Sequence, residues 1–412
     1  MKHASSRAPD LLHGPVFSNM TRFFLPIMLG SLLQQLYSMV DAVVLGRLVG
    51  KTALAAVGGS DLAIINLVVG FFVGLASGAC VVVSQHYGAG EDGAVRRAVH
   101  TAILFSVVIG AVMTALGIGL ARPILVLLDP PADTLEDSIV YLQWYFAGMI
   151  PSMVYNMGAG ILRAVGDSKR PLYFLIISCI CNIILDLAFV VALKLGVAGV
   201  GIATILSQLI SAVLVMATLM RSETAIRFVP RQLGFSGKLL KDIVLIGLPA
   251  GMQSVLYSIS NAILQSTVNS FGTTVIAAYT AYGKIDGFFW MVIGAFGVSI
   301  TTFVGQNFGA QKYDRMRKST RVCLCMAFGT TFLIEALFYF GSSFVMQLFS
   351  RDPAVIEQGV RIAQHLAPFL CLYVCVEILS GTLRGTGDSI VPMIITCGGI
   401  CLLRVCWVAF VV

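Results

Sequence analysis

Leu162-Arg163-Ala164-Val165-Gly166-Asp167-Ser168 returns 221 residues later (383 against 162) as Leu383-Arg384-Gly385-Thr386-Gly387-Asp388-Ser389. Pro171 and Pro392 follow at matching places. Gln85-His86-Tyr87-Gly88-Ala89, followed by Arg96, returns at the same offset as Gln306-Asn307-Phe308-Gly309-Ala310, followed by Arg317. Leu25-Pro26 and Leu248-Pro249 open the two copies at an offset of 223 (249 against 26), so a small insertion intervenes. Chance yields one such match; several at one spacing mark a duplication.

Composition says what is duplicated. Of 412 residues, 58% are hydrophobic and 11% charged, with mean hydropathy +0.91. Soluble domains carry about 25% charged residues, so a water-soluble fold is excluded. Eleven apolar runs lie near 21–46, 53–83, 98–121, 138–162, 171–193, 197–220, 242–268, 275–304, 319–349, 360–383 and 391–412. Most reach the roughly 20 residues a helical span needs. They lack the polar alternation of a porin wall, so the expected fold is an all-α polytopic membrane protein. Gly is abundant at 41 residues, which suits close helix packing in lipid. The first run, with no convincing cleavage site, reads as a retained helix.

The expected organisation is a tail over 1–20, an N-lobe of six helices over 21–220, a linker over 221–241 and a C-lobe over 242–412. Six is even, so both copies enter the membrane in the same direction. Parallel repeats form two lobes around a central cavity. By the offset, Val412 corresponds to Val191, and no counterpart of 197–220 follows it.

Basic residues alternate between loops. One side carries Arg163, Lys169, Arg170, the Arg221–Lys241 linker and the Lys312–Arg321 cluster; the other carries Arg47, Lys51, Arg122, Lys194, Arg351 and Arg361. The positive-inside rule puts the N-terminus in the cytoplasm, in a multi-pass protein of the cytoplasmic membrane. The net charge of +7 is then topology spread over short loops, not a nucleic-acid footprint. The ten Cys form no CxxC motif and read as packing residues. The five His show no zinc spacing, and no Walker A sequence is present. Neither a metal centre, nor ATP hydrolysis, nor an enzyme is expected.

Ionisable groups inside lipid are costly, so each is a functional candidate. Asp41 stands near the outer end of the first run and Asp186 near that of the fifth, with Asn182 one turn from it on the same face. Thr204 enters the sixth run from outside. At 1.5 Å per residue, Asp41, Asp186 and Thr204 sit roughly 8–12 Å below the outer boundary. Two carboxylates, an amide and a hydroxyl suit an oxygen site for Na⁺, a pair sharing one proton, or separate hydrogen bonds between helices. Gln34, Tyr37, Gln253, Tyr257, Asn261, Tyr279, Tyr282 and Glu377 are expected to line the cavity. Lys284 and Asp286 are two apart and do not share a face. Glu335 and Glu377 stand where the first half has Thr114 and Asn156. Pro26 and Pro249 are expected as hinges. Arg163 with Asp167, and Arg384 with Asp388, are expected to form salt-bridged turns capping the next helix.

The chain resembles the multidrug and toxic compound extrusion (MATE) family, in particular its DinF-like branch. The duplicated Gln-x-x-Gly-Ala loop, the duplicated Leu-Arg-x-x-Gly-Asp turn and the Pro26…Asp41 helix carry the resemblance. It implies twelve helices in two lobes, of which eleven are found here, and antiport of organic, mostly cationic, molecules against H⁺ or Na⁺. It also implies a first-lobe cation site at Asp41, Asn182, Asp186 and Thr204. A second branch uses acidic residues in helices seven and ten, where this chain has Tyr257 and Tyr373. The expected partners are small organic substrates and the bilayer, the only cofactor a coupling ion, and the expected state a monomer. Rival readings are a lipid-linked precursor flippase and a receptor or channel. Apart from arginines at the ends of runs, Lys284 and Arg404 are the basic residues inside the spans, which argues against a pyrophosphate-lipid cavity.

Overall fold

Without water to bond, a backbone in lipid must close its own hydrogen-bond ladder, and among the described residues every apolar run does so as helix. The computed structural model describes residues 9–50, 53, 57, 60–128, 134–232 and 234–410. The first half contains α1 (Val16–Val44), α2 (Ser60–Gly88), α3 (Asp92–Leu128), α4 (Leu135–Ala147), α5 (Met149–Ala164), α6 (Lys169–Asp186) and α7 (Gly196–Met220). The second half retraces it with α8 (Gly237–Asn269), α9 (Thr273–Gly309), α10 (Tyr313–Phe349), α11 (Pro353–Leu366), α12 (Leu370–Thr386), α13 (Ile390–Thr396) and α14 (Leu403–Phe410). Among the described residues, ten helical stretches are long and apolar enough to cross a bilayer. The run expected over 138–162 is built as two shorter helices, α4 and α5, which meet at Gly148.

The breaks in the fourth helix of each half are held by related devices of opposite polarity. Thr114 Oγ1 donates to the Phe146 carbonyl at 2.9 Å, beside Gly148. Glu335, its counterpart by sequence, accepts from the Cys371 amide at 2.7 Å, just past the Pro368 turn. Large apolar side chains face outward: Phe332, Leu333, Leu337, Phe340 and Phe344 on α10 are all more than 60% exposed. In water that surface would aggregate; in lipid it is solvated.

The halves are joined by glycine. A Cβ on Gly247 would lie 2.6 Å from the Leu75 carbonyl, and one on Gly251 2.7 Å from the Phe71 carbonyl. From the other side, a Cβ on Gly74 would strike the Gly251 backbone, and one on Gly78 the Ile243 carbonyl. α2 and α8 therefore touch backbone to backbone, the small-xxx-small packing of helices in lipid. The first helices also cross over. Phe24 of α1 stacks on Phe296 of α9 with centroids 3.9 Å apart. Leu239, Ile243 and Ile246 of α8 join the core of the first half. Pro26 and Pro249 both lie inside continuous helices, α1 and α8.

The duplicated motifs prove to be each other's partners. Gln85 Nε2 donates to the Gly385 carbonyl at 2.9 Å, and Gln306 Nε2 to the Ala164 carbonyl at 2.7 Å. The Gln-x-x-Gly-Ala loop of each half thus closes on the Leu-Arg-x-x-Gly-Asp turn of the other. Gly88 and Gly309 allow it, because a Cβ on either would strike the Gln306 or Gln85 carbonyl across the seam. The linker docks at the same end, where the Val229 amide donates to His100 Nε2 at 3.1 Å.

The turns depart from the expected Arg–Asp pairs. Asp167 Oδ1 accepts from the amides of Lys169 and Arg170, and its other oxygen meets Arg170 Nε at 3.2 Å. Asp388 Oδ1 accepts from the amides of Ile390 and Val391, both at 3.1 Å. The carboxylates do cap the next helix, but through its free N–H groups. Arg384 turns back into its own helix and pairs with Glu377 at 3.0 Å. Asp388→Ala is expected to cost about 1 kcal/mol, the usual worth of a cap, with Asp388→Asn recovering most of it. Thermal melting in detergent reads this, and an unchanged midpoint in the Ala variant would refute the capping role.

Candidate functional site

The three polar residues matched in depth by sequence, and Asn182 beside Asp186, converge in the first half. Asn182 and Asp186 lie on α6 and are fully buried; Asp41 on α1 and Thr204 on α7 are each 8% exposed. The Asp41 and Asp186 carboxyl groups come within hydrogen-bonding reach of each other. Asn182 fits between them in one amide orientation. Its nitrogen then donates to Asp41 Oδ1 at 3.1 Å and Asp186 Oδ2 at 3.2 Å, while its oxygen accepts from Ser207 Oγ at 3.2 Å. The opposite orientation sets acceptor against acceptor. Asp186 Oδ1 remains buried with no hydrogen-bond partner, the kind of orphan that calls for an explanation.

The backbone around the carboxylates is also unusual. α1 passes into a π-helical turn at Leu45–Val49, four residues beyond Asp41, and α6 into another at Leu187–Ala192, directly after Asp186. Such turns re-aim side chains within a helix and recur at functional sites.

Two residues complete the cluster. Ser207, absent from the sequence-based set, is one turn along α7 from Thr204 and is held by Ala203 and Ser178. Tyr37 Oη lies 3.3 Å from Thr204 Oγ1 and within bonding reach of Asp41. Beside them Leu33, Gln34, Tyr37, Leu175, Ser178, Cys179, Ser207 and Gln208 line a cavity of about 30 Å³. That is room for a water or two. Gln34 and Tyr37 thus border the carboxylate cluster itself.

Among the described residues, the second half holds no copy of this arrangement. The residues at the spacing of Asp41 from Pro26 and of Asp186 from Pro171 are Leu264 from Pro249 and Trp407 from Pro392. Its polar residues do other work. Gln253, buried, donates to Thr396 Oγ1 at 3.1 Å and ties α8 to α13. Glu377, expected on the cavity wall, is engaged by Arg384 and packs against Gly297. Asn261 accepts from Arg404 Nη1 at 2.7 Å. Tyr257, Tyr373 and Trp290 form a chain of edge-to-face rings. Asp286 joins it, accepting from Trp290 Nε1 at 2.6 Å and from Tyr282 Oη at 3.2 Å. Tyr279 lies beside Tyr282, their ring centroids 6.4 Å apart. Sequence spacing had flagged Asp286 only against Lys284; its i, i±4 partners Tyr282 and Trp290 were the signal to follow.

Comparison with known proteins gives the family of the chain. The family model described as MatE matches residues 26–188 and 249–408, covering both copies. The chain is 28% identical over 388 residues to the probable multidrug resistance protein YoeA of Bacillus subtilis, covering 92% of this chain and 84% of that one. It is 25% identical to the probable multidrug resistance protein YpnP of the same organism, covering 97% and 89%. Among solved structures, a multidrug resistance MATE transporter in an outward-facing conformation superposes with a TM-score of 0.91. The identity is 23%, over 99% of this chain and 91% of that one.

Proposed function

Because this chain belongs to the MatE family, we propose that it exports small organic molecules, chiefly organic cations, by exchange for a proton bound between Asp41 and Asp186. The family's members are transporters, so the chain is a multi-pass membrane transporter and not an enzyme. The observation that carries the coupling reading is the buried Asp41–Asn182–Asp186 cluster in the first lobe, with Asp186 Oδ1 unpartnered.

Asn182 supports H⁺ over Na⁺. With its nitrogen between the carboxylates and its oxygen on Ser207, the amide presents N–H groups to the centre of the site. Sodium needs oxygens there. Two carboxylates side by side in apolar surroundings relieve their repulsion by holding one proton between them, and the amide steadies both. Loss or gain of that proton changes how α1 packs on α6 and α7, and the lobes then rock about the glycine contact between α2 and α8. The basic-loop end is assigned to the cytoplasm by its charge. Substrate meets the aromatic wall of Tyr257, Trp290 and Tyr373, where rings and the Asp286 carboxylate favour a cation.

Proteoliposomes with imposed pH and Na⁺ gradients, applied one at a time, test the coupling. Efflux of a cationic dye is expected to persist without Na⁺ and to collapse when the pH gradient is dissipated. Strict dependence on Na⁺ would overturn the proton assignment. Asn182→Ala and Thr204→Ala sharpen the test. Under proton coupling each retains substantial transport, because both carboxylates remain. Under sodium coupling each sharply weakens the Na⁺ dependence.

A further inference from the structure

We propose that residues 9–14 form a proton-sensitive strap that clamps the two lobes at the basic-loop end, with the His13 imidazole as its sensor. The segment precedes α1 and lies in the seam between the halves. Leu11 is 2% exposed and sits in the core of the second half with Met20 and Phe303. On the first-half side, a Cβ at Gly166 would come within 3.1 Å of the Pro9 carbonyl. The strap is therefore wedged between the turn of one repeat and the start of α10 in the other.

Its carbonyls are gathered by second-half side chains. Arg315 donates from Nε to Leu11 at 3.1 Å, from Nη2 to His13 at 2.8 Å and from Nη1 to Gly14 at 2.9 Å. Lys312 Nζ donates to the Leu12 carbonyl at 3.2 Å, and Asn307 Nδ2 to that of Leu11 at 3.3 Å. Asn307 belongs to the Gln-x-x-Gly-Ala loop, so the strap reinforces the same seam that the paired Gln bonds close. From α1, Asn19 ties the strap's own ends together through the Asp10 and His13 carbonyls.

The sensor follows from one contact. Lys312 Nζ lies 2.9 Å from His13 Nε2. An ammonium has donors only, so Nε2 is the acceptor and carries no hydrogen. The ring proton is then on Nδ1, which donates to Asp10 Oδ2 at 2.9 Å. This is the neutral imidazole. A second proton on Nε2 sets N–H against ammonium, with like charges. The contact breaks, and Lys312 is drawn from the Leu12 carbonyl. Among the described residues, the charged and titratable groups facing the strap are Asp10 on itself, Lys312 and Arg315 from α10, and Tyr87 from the end of α2, close enough to feel the charge of Asp10. His86, in the adjoining loop, is bound to Glu91 at 2.7 Å and is a separate group.

Imidazole is the side chain that changes charge between about pH 5 and 8. Acid on the strap's own side therefore releases the clamp and favours opening there, the step that admits substrate under the export reading. The geometry stands independently of that reading, and the test keeps them apart. Spin labels on non-natural residues at the exposed positions Arg97 and Lys318 report the distance between halves by pulsed electron resonance in nanodiscs. The background is the double variant Asp41→Asn, Asp186→Asn, so that the coupling pair adds no pH response. As pH falls from about 8 to about 6, the range in which imidazole charges, a longer-distance component is expected to grow severalfold. His13→Asn is expected to abolish that growth and His86→Asn to leave it intact. Lys312→Ala is expected to show the long component at both pH values. A pH response that survives His13→Asn, or one absent from the His13 protein, overturns the strap. Normal strap behaviour with no transport by the native chain overturns the export reading instead.

Discussion

Asp41→Asn is expected to reduce gradient-driven dye efflux to the passive leak while the protein still inserts and purifies as a single species. The substitution preserves shape, so helix packing around α1 is undisturbed. What changes is the chemistry of the cluster. Asp41 sits 8% exposed, in hydrogen-bonding reach of Asp186, and Oδ1 accepts from Asn182 at 3.1 Å. An amide there cannot gain or lose a proton, and Asp186 is left with no carboxylate to share one. A carboxylate this deep is costly in a membrane protein, which is why a coupling role is proposed for it. Efflux in liposomes, with thermal melting of the same preparation, separates lost coupling from lost folding. Near-native transport in the variant would remove Asp41 from the mechanism.

Gly251→Leu is expected to be strongly destabilising. Overpacking a core usually costs about 1–3 kcal/mol because neighbouring side chains give way. Here the neighbour is backbone: a Cβ on Gly251 would lie 2.7 Å from the Phe71 carbonyl, and a helix cannot move one carbonyl alone. α2 and α8 must separate, and with them the two halves. Little monodisperse protein should survive size-exclusion chromatography, with a melting point well below that of the parent. Gly251→Ala should fall between. A Leu variant that melts with the parent would mean the two backbones do not meet.

The sequence could be read for whatever depends on composition and repetition. Hydropathy located the spans because a bilayer demands long apolar helices, and the offset of the motifs exposed the duplication. The depths of Asp41, Asp186 and Thr204 agreed because rise per residue is fixed. Pairing between distant segments was less legible. Arg163 and Asp167 look like partners in sequence, yet the carboxylate of Asp167 goes to backbone amides that only the following helix supplies. Glu377 reads as a cavity residue in sequence, yet the backward reach of Arg384 engages it. Ser207 carries no signal among many membrane serines; its role depends on α7 facing Asn182. The π-helical turns beside both carboxylates arise from packing rather than from any local residue pattern.

The carboxylate cluster stands in one lobe, with Leu264 and Trp407 at the corresponding positions of the other. Under the proposed proton coupling this asymmetry sets a stoichiometry. One pair holding one shared proton would give one proton per cycle. Exchange of that proton for a singly charged organic cation moves no net charge, so the membrane voltage contributes nothing. The whole driving force is the pH difference, about 1.4 kcal/mol per unit. Accumulation of a monovalent cation is then capped at roughly tenfold per pH unit, whereas a neutral substrate, exchanged with net charge movement, would also draw about 2.3 kcal/mol per 100 mV.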